Sequence, residues 1–452
     1  MKNTLLKSYF KYLLPTITTM ILFSTYTMVD GIFVGQGVGA RGISAVNVAM
    51  PYVTLTFALS ILISIGSLNL ITYQLGKGDK EKADEFFSIG LVLSLAVSLL
   101  IALLSYIFMD RLIGALGASD DIRPLVKDYM SVIIFFTPFY VMAYVFEIMV
   151  KADGNPIIST ILMIVSALTN IILDYVFIFH FHMGVRGAAI ATGIAQVLPT
   201  LGYVSYFLSS KAQLKFRKFK LKYYKVKEII SYGFPASLNE LSSGFVILLF
   251  NKVISTYYGT DGLASFSVIS YIMIFVVNTM IAINQSSQPI ISFSFGREKY
   301  EDVLRIRKYM LRTVAIVSLL MFMAIELRPV FFVNVFIADY DINFLAFAVK
   351  ALRIFAISYL IMGFNIINAG YMTAVQKPRY DFYITIVRGY VLMAILVYLL
   401  PFIFGREIIW QVASITELIT MILSIFLIRD EIKEIHELEK RRDSHIKIKY
   451  EK

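Results

Sequence analysis

The sequence predicts an all-α integral membrane protein, with twelve transmembrane helices in two six-helix bundles related by a pseudo-two-fold axis along the membrane normal. Three observations predict it: an apolar composition, apolar stretches of membrane length, and an internal repeat. Of the 452 residues, 58% are apolar and only 16% are charged, whereas soluble domains are about half apolar and a quarter charged. One globular core of this chain length could not hide the excess of apolar side chains.

The apolar stretches are each about 20 residues or more, which is enough for a helix to cross a hydrocarbon layer of about 30 Å. They are continuously apolar, whereas the strands of a membrane barrel alternate over about ten residues. We therefore predict helices, numbered below as spans 1 to 12. The spans are 12–36, 46–72, 86–109, 125–150, 157–180, 187–208, 229–253, 264–290, 309–327, 346–371, 381–402 and 407–428.

Composition and motifs exclude several classes of protein. The chain has no Cys and four His, which excludes disulfides, thiolate metal sites and a Cys nucleophile. It also contains no Walker A, Rossmann, metalloprotease or nucleophile-elbow motif. We therefore expect no enzyme activity, no catalytic residues, no ATP-driven transport within the chain and no cofactor.

Basic residues are distributed unevenly between alternate turns. Of the 42 Lys and Arg residues, 30 lie in the two termini and in the turns after spans 2, 4, 6, 8 and 10, and nine lie in the other turns. Cytoplasmic segments of membrane proteins carry an excess of Lys and Arg, so we expect a multi-pass protein of the cytoplasmic membrane with both termini in the cytoplasm. The net charge of +11 is then explained by this bias and by contact with anionic membrane lipids, rather than by nucleic acid.

An internal repeat relates the two halves of the chain. Shifting the sequence by 220 residues aligns a helix-kinking Pro and two turns without a gap, and a later Pro aligns at an offset of 222. The aligned pairs are Tyr12 with Tyr232, Pro15 with Pro235, Gly39 with Gly259, Gly76 with Gly296, and Pro156 with Pro378. Since six spans per half is an even number, the halves share their orientation, as parallel transporter repeats do.

This repeat sets the predicted domains. We predict an N-lobe with spans 1–6, a basic cytoplasmic linker, a C-lobe with spans 7–12 and a charged cytoplasmic tail. Their boundaries are 1–208, 209–227, 228–428 and 429–452. Rocking of one parallel repeat against the other is a simple route to alternating access.

Polar residues of the N-lobe fall at one depth of the membrane. Asp30 lies near the outer end of span 1 and Asp174 lies at the same depth in span 5. Asn170 shares a helix face with Asp174, and Thr192 of span 6 reaches this layer too. Each ionised group at bilayer depth costs about 2.5–3.5 kcal/mol on insertion scales. The layer is therefore a candidate proton carrier or Na⁺ site, and the structural alternative is that these groups cap or bridge helices.

A second polar set lies in the C-lobe. Glu240 is close to the midplane of span 7, and Glu417 lies in span 12. The set is a candidate cation or substrate site, with helix-to-helix bonding as the structural alternative, and Arg353 or Arg388 could pair with Glu417. Its members are Glu240, Asn239, Asn284, Gln285, Gln288 and Glu417.

Two further acids of the predicted spans have a structural interpretation. Glu147 precedes Lys151 by four residues, and we expect a surface ion pair there. Glu326 lies beside Arg328 at the outer edge.

The order and spacing of several motifs resemble the multidrug and toxic compound extrusion (MATE) family, in its bacterial multidrug-resistance branch. The resemblance covers about residues 8–430. Its motifs are Pro15, Met28-Val29-Asp30, Val34-Gly35-Gln36, Gln74-Leu75-Gly76-Lys77-Gly78-Asp79, Lys151-Ala152-Asp153-Gly154-Asn155-Pro156, Asn170 with Asp174, Gly187-Ala188-Ala189-Ile190-Ala191-Thr192, Pro235, Glu240, Gly296-Arg297, Lys377-Pro378, and Trp410 with Glu417.

The resemblance implies export of drug-like, often cationic compounds by a monomer in the bacterial cytoplasmic membrane, driven by inward H⁺ or Na⁺ flow. The family's N-lobe ion site corresponds to Asp30, Asn170, Asp174 and Thr192. Some members pair a helix 7 Glu with a helix 10 Asp, whereas this chain has Glu240 but only Asn365 and Asn368 in span 10. That departure shifts the expected ion site to the N-lobe. Related families flip lipid-linked oligosaccharides, so a flippase is the alternative function.

Overall fold

The structure, a computed structural model, describes the backbone of residues 2–336 and 341–450. Side chains are described over 4–336 and 341–442. Residues 451 and 452 of the predicted tail therefore lie outside the described residues. Within the described ranges the chain is almost entirely helical, and no strand is found there.

The first half of the chain forms long helices joined by short turns. A π-helical turn, Val176–His180, follows α6 and ends the fifth crossing segment. The helices are α1 (Lys2–Val38), α2 (Ala40–Gly76), α3 (Lys80–Ile107), α4 (Met109–Ala115), α5 (Arg123–Ala152), α6 (Pro156–Tyr175) and α7 (Gly184–Leu208).

The second half repeats this pattern with more interruptions. It contains a π-helical turn, Val387–Val391, and a 3₁₀ turn, Arg406–Gln411. The helices are α8 (Tyr223–Gly296), α9 (Tyr300–Leu327), α10 (Pro329–Phe336), α11 (Ile342–Ala356), α12 (Tyr359–Ala374), α13 (Pro378–Ile386), α14 (Leu392–Phe404) and α15 (Val412–Tyr450).

The described residues contain twelve membrane crossings. Eleven helical segments are long and apolar enough to span a membrane. One of them, α8, has 74 residues and breaks at Gly259, whose φ of 59° is not helical. Counting the two parts of α8 separately gives twelve, which confirms the predicted all-α fold of two six-helix bundles.

The backbone carries the repeat that the sequence suggests. Residues with a positive φ recur in the turns of both halves at nearly constant spacing. Gly adopts this left-handed backbone conformation most easily because it has no Cβ. At two of these positions the second half has Glu298 and Gln376 in place of Gly. The matched pairs are Gly39 with Gly259, Gly78 with Glu298, Gly154 with Gln376, and Gly184 with Gly405.

The chain divides into two units by its internal packing. The N-terminal unit is Phe10–Ser237, and the C-terminal unit is Leu238–Lys452 with the start of α1 up to Tyr9. The N-terminal unit therefore includes the segment predicted as a linker and the first turns of α8. Tyr9 belongs to the other unit, where its hydroxyl donates to Thr313 Oγ1 at 2.9 Å.

Within the N-terminal unit, α5 packs against α2, α3 and α7. The beginning of α8 is pressed against α2 at two glycines. A Cβ at Gly233 would overlap the carbonyl oxygen of Leu62, and a Cβ at Gly66 would overlap that of Ile229. These glycines allow the two backbones to touch, so the entry into α8 is fixed on this unit.

The segment between α7 and α8 is held to the same unit by buried acceptors. Asp153 accepts the backbone N–H groups of Gln213 (2.9 Å) and Leu214 (2.7 Å), and Asp84 accepts that of Lys215 at 2.9 Å. Burial raises the pKa of Asp153 above its ordinary value, while donors such as the Tyr206 hydroxyl partly offset the rise. The basic segment is therefore clamped rather than loose.

Within the C-terminal unit, α12 packs against α9, α13 and α15. Aromatic rings fill part of its core, since Phe250 stacks on Phe266 with 5.0 Å between ring centroids and Phe355 meets Phe250 edge-on. This packing places α12, α13 and α15 side by side, and polar residues of each face one another there.

Replacement of Gly233 by Ala is expected to destabilise the protein by about 1–3 kcal/mol, because the added methyl forces α8 away from α2. The matched control is Gly244→Ala in the same helix, where a Cβ meets nothing within 4 Å. That control should be neutral or stabilising by about 0.4–1 kcal/mol. Thermal unfolding in detergent measures both, and equal effects would contradict the close approach.

Replacement of Asp153 by Ala is expected to open the segment between α7 and α8, because the backbone N–H groups of Gln213 and Leu214, the latter buried, lose their acceptor. Each such loss costs about 1–3 kcal/mol, so tryptic cleavage at Lys211 to Lys222 should accelerate roughly tenfold or more. Timed proteolysis of the purified protein measures it. Asp120→Ala, at an exposed acid, is the control and should leave the rate unchanged.

Candidate functional site

Three helices of the N-terminal unit bring the predicted polar residues together. Asp30 lies about two turns before the end of α1, Asp174 lies in the last turn of α6, and Thr192 lies in the third turn of α7. The approach of α1 depends on a small residue, because a Cβ at Gly37 would overlap Ile178 in the π-helical turn. The close approach of α1 to the end of the α6 segment is therefore set by the contact of Gly37 with the Ile178 side chain.

The four residues Asp30, Asn170, Asp174 and Thr192 form one contact group. The carboxyl groups of Asp30 and Asp174 lie within hydrogen-bonding reach of each other. Asn170 Nδ2 lies 3.4 Å from Thr192 Oγ1, a long hydrogen bond. Asn170 and Asp174 are fully buried, and Asp30 and Thr192 are half-buried. The structure thus places together every residue that the depth argument selected in this half.

Four oxygens of this group are buried without a formed hydrogen bond, and the Asn170 amide is a neutral donor beside Asp174. Both carboxylate oxygens of Asp174, Oδ1 of Asp30 and Oδ1 of Asn170 are buried without a partner. None of the ion pairs among the described residues involves either Asp. A buried carboxylate without donor or counter-charge is costly. The arrangement is therefore suited to hold a proton shared between the two carboxyls, or a small cation bound by oxygens.

Aromatic and amide side chains surround the two acids. Tyr26 and Tyr129 are buried with 6% and 4% of their surface exposed, and both lie within electrostatic range of Asp30. The Tyr26 hydroxyl also contacts the Gln196 side chain. Sequence reasoning missed all three. Tyr26 precedes Asp30 by four residues and shares its helix face, whereas nothing in the sequence relates Tyr129 to the site.

A π-helical turn follows Asp174 directly. In a π turn one extra residue is inserted into the helix, which changes the direction of the side chains beyond it, and such turns are frequent at functional sites. Because the turn runs Val176–His180, the extra residue comes after Asp174. The face that carries Asn170 and Asp174 is therefore preserved toward α7, while the end of the segment is turned away.

The polar residues of the C-terminal unit are arranged differently. Glu417 is paired with Arg388, whose Nε donates to Oε1 at 2.8 Å. Asn365 Nδ2 donates to Oε2 at 2.7 Å, and Arg388 Nη1 donates to Asn239 Oδ1 at 3.1 Å. Of the two predicted partners of Glu417, Arg388 is the one that binds it, and Arg353 is elsewhere.

Glu240, another member of the predicted C-lobe set, does not join this network. Glu240 is half-buried and forms no hydrogen bond or ion pair with the described residues. Asn284 lies against Gly370, where a Cβ would overlap the Asn284 amide. Gln285 and Gln288 are buried along α8 with 7% and 3% exposed. The structure therefore groups Asn239 and Glu417 around Arg388, with Glu240 apart.

Three further acids have structural partners. Glu147 pairs with Lys151 at 2.6 Å as expected, but the side chains are only 12% and 1% exposed, so the expected surface position was wrong. Glu326 pairs with Arg353 at 3.4 Å rather than with its neighbour Arg328. Asp381, which sequence reasoning missed, accepts hydroxyl groups of α12 and α13, from Thr373 at 2.6 Å and Thr385 at 3.2 Å.

Comparison with known proteins adds relatives of full length. The chain is 25% identical over 438 residues to the multidrug export protein MepA of Staphylococcus aureus (strain MSSA476), covering 95% of this chain and 96% of that protein. It is 27% identical over 437 residues to MepA of Staphylococcus haemolyticus (strain JCSC1435), covering 94% of each.

Solved structures share the fold. An outward-facing multidrug resistance MATE family transporter of the MOP superfamily is similar with a TM-score of 0.89 at 21% identity, over 95% of this chain and 96% of that one. A MATE structure in the bent conformation has a TM-score of 0.87 at 22% identity, over 96% of both chains.

The family assignment follows from a match to both halves of the chain. The MatE family model matches residues 15–176 and 235–399. These two stretches begin at the aligned prolines Pro15 and Pro235, so the family unit coincides with the internal repeat. The chain belongs to the MatE family of membrane transporters.

Proposed function

We propose that this chain is a multidrug exporter that works as a secondary antiporter, exporting drug-like, often cationic and aromatic compounds in exchange for H⁺ or Na⁺ by alternating access. Family membership and full-length similarity to the MepA multidrug export proteins support export of small molecules. The observation that carries the coupling is the contact of two carboxyl groups, Asp30 and Asp174, three of whose four oxygens are buried without a formed hydrogen bond.

The coupling follows from charge. Uptake of a cation by the Asp30 and Asp174 pair neutralises one carboxylate, which removes repulsion within the pair and the cost of burying it. We propose that this uptake shifts α1, which carries Asp30 and contains Pro15, and that the shift lowers the affinity for the drug on the outer side. Each elementary charge that crosses the membrane supplies about 2.3 kcal/mol per 100 mV.

The site favours H⁺ as the coupling ion, with Na⁺ as the alternative. Two carboxyls within hydrogen-bonding reach can share one proton, and no further ligand is then needed. A Na⁺ ion needs several oxygens, for which Asn170 Oδ1 and Thr192 Oγ1 are the neighbouring ligands. No separate cofactor is part of the proposal, because the cation is cargo.

We place the protein in the bacterial cytoplasmic membrane as a monomer with both termini in the cytoplasm. The supporting observation is the excess of Lys and Arg in the termini and in alternate turns. The clamped segment between α7 and α8 carries six of these basic residues. At the cytoplasmic surface it would meet anionic lipid headgroups.

The flippase alternative finds little support in the positions of the basic residues. A lipid-linked pyrophosphate needs accessible positive charge within the membrane. Three basic residues are left in the predicted spans once those near the turns are counted with the turns, and of these Arg353 is paired with Glu326 and Arg388 with Glu417. Arg312 is exposed on α9. Of these three residues it alone could meet a headgroup, and its single positive charge does not match a doubly charged pyrophosphate.

The variants Asp30→Asn and Asp174→Asn are expected to abolish gradient-driven export, because the amide cannot exchange a cation. Loss of one coupled charge removes about 2.3 kcal/mol per 100 mV, or roughly fiftyfold in accumulation ratio. Ethidium efflux from loaded proteoliposomes measures it, with imposed pH and Na⁺ gradients applied separately. We expect the pH gradient to drive wild-type efflux.

The matched control is Glu326→Gln, which changes an acid that is paired with Arg353. It should retain efflux near the wild-type rate. Near-normal gradient-driven efflux by both Asp variants would rule out this site. Efflux that responds only to the Na⁺ gradient would assign Na⁺ in place of H⁺.

A further inference from the structure

We infer that Arg388 is a built-in counter-cation that occupies Glu417 permanently, so that this acid takes no part in cation exchange and coupling is confined to Asp30 and Asp174. The inference rests on the proposed function and deepens it, because it states which half of the chain exchanges the cation. It is drawn from the contrast between two buried acids in two related halves.

The contrast is in the donors. Both oxygens of Glu417 receive a hydrogen bond, Oε1 from Arg388 and Oε2 from Asn365. Both oxygens of Asp174 are buried without a formed hydrogen bond, and the neighbouring Asn170 amide carries no charge. A mobile cation could bind Asp174 without displacing a partner, whereas at Glu417 it would have to displace a guanidinium that is covalently part of the chain.

The guanidinium is held in place from several sides. Its Nη1 donates to Asn239 of α8, and the next residue but one, Tyr390, donates its hydroxyl to the Leu238 carbonyl at 2.9 Å. Between them, a Cβ at Gly389 would lie 2.7 Å from that of Ser242. The π-helical turn Val387–Val391 is therefore pressed onto α8, which aims Arg388 at Glu417.

The carboxylate side of the pair is equally fixed. Asn365 also donates to the Glu417 backbone carbonyl at 2.8 Å, and Ser424 Oγ donates to Asn365 Oδ1 at 3.3 Å. The Arg388 and Glu417 side chains are 11% and 3% exposed. Because water cannot easily replace either partner at this burial, the pair stays closed while the charge of Glu417 is compensated.

Removal of the guanidinium reverses the situation. Glu417 would then be a buried carboxylate without a counter-charge, with a vacated space beside Oε1 and the Asn365 donor still on Oε2. A small cation from solution should enter, and a guanidinium-type cation should fit the space best. Removal of both charges together should leave cation exchange in the other half as it was.

The first experiment measures coupled efflux in proteoliposomes for Arg388→Gln/Glu417→Gln, beside the wild type and Asp174→Asn. We expect the double variant to keep at least about half of the wild-type gradient-driven rate and the same number of cations per ethidium, and Asp174→Asn to lose coupling. A folded double variant that has lost its response to the gradient would overturn the inference.

The second experiment measures cation binding without transport. Thermal unfolding of Arg388→Ala in detergent is followed with millimolar methylguanidinium, with choline chloride at equal ionic strength as the reference. We expect methylguanidinium to raise the Tm by roughly 2 °C or more. It should have no such effect on the wild type or on Arg388→Ala/Glu417→Gln.

A folded Arg388→Ala variant that shows no response to methylguanidinium would contradict the inference. Arg388→Lys is the conservative control, and it should keep coupling because the fixed positive charge remains. If Arg388→Ala does not fold, the efflux of the double variant decides. If the wild type shows no gradient-driven efflux, the proposed function fails, and the unfolding experiment then decides alone whether Glu417 is closed by Arg388.

Discussion

The constraint on which the rest of the structure depends is the stabilisation of buried carboxylates. Inside a membrane protein an acid needs hydrogen-bond donors, a fixed counter-charge or a cation that comes and goes. Asp381 has two hydroxyl donors and Glu417 has a fixed guanidinium, whereas Asp30 and Asp174 have each other and no basic partner among the described residues. In the proposed function, only the last arrangement is completed by a cation from outside the protein.

The two halves show that one backbone frame can carry different chemistry. Left-handed turn residues recur at nearly constant spacing, and each half has one π-helical turn among its described residues, Val176–His180 and Val387–Val391. In the first half the turn follows Asp174, and in the second it contains Arg388. An acid near one turn and a base in the other give the halves opposite charge at their interrupted segments, so the duplication is symmetric in backbone and asymmetric in electrostatics.

The sequence predicted the twelve crossings and the contact of Asp30 with Asp174, because helix rise converts residue number into depth. Depth alone does not give the direction in which a side chain points around its helix. For that reason the choice of Arg388 over Arg353, the separation of Glu240 from Asn239, and the position of Tyr129 required coordinates. The burial of Glu147 and Lys151 was missed for a related reason, since a helix end is buried or exposed according to what packs over it.

The remaining acids differ in the number of hydrogen-bond donors that they receive. Asp153 and Asp84 accept backbone N–H groups and so hold a segment in place. Their carboxylates are already occupied by these structural hydrogen bonds, so replacing them should affect folding before it affects cation exchange. Glu240 receives no donor among the described residues, yet it is half-buried and has no second acid in contact. A single acid of this kind can attract a positively charged compound, whereas a pair of carboxyl groups is needed to share a proton. In the proposed function, this difference separates recognition of the exported compound from coupling to the cation gradient.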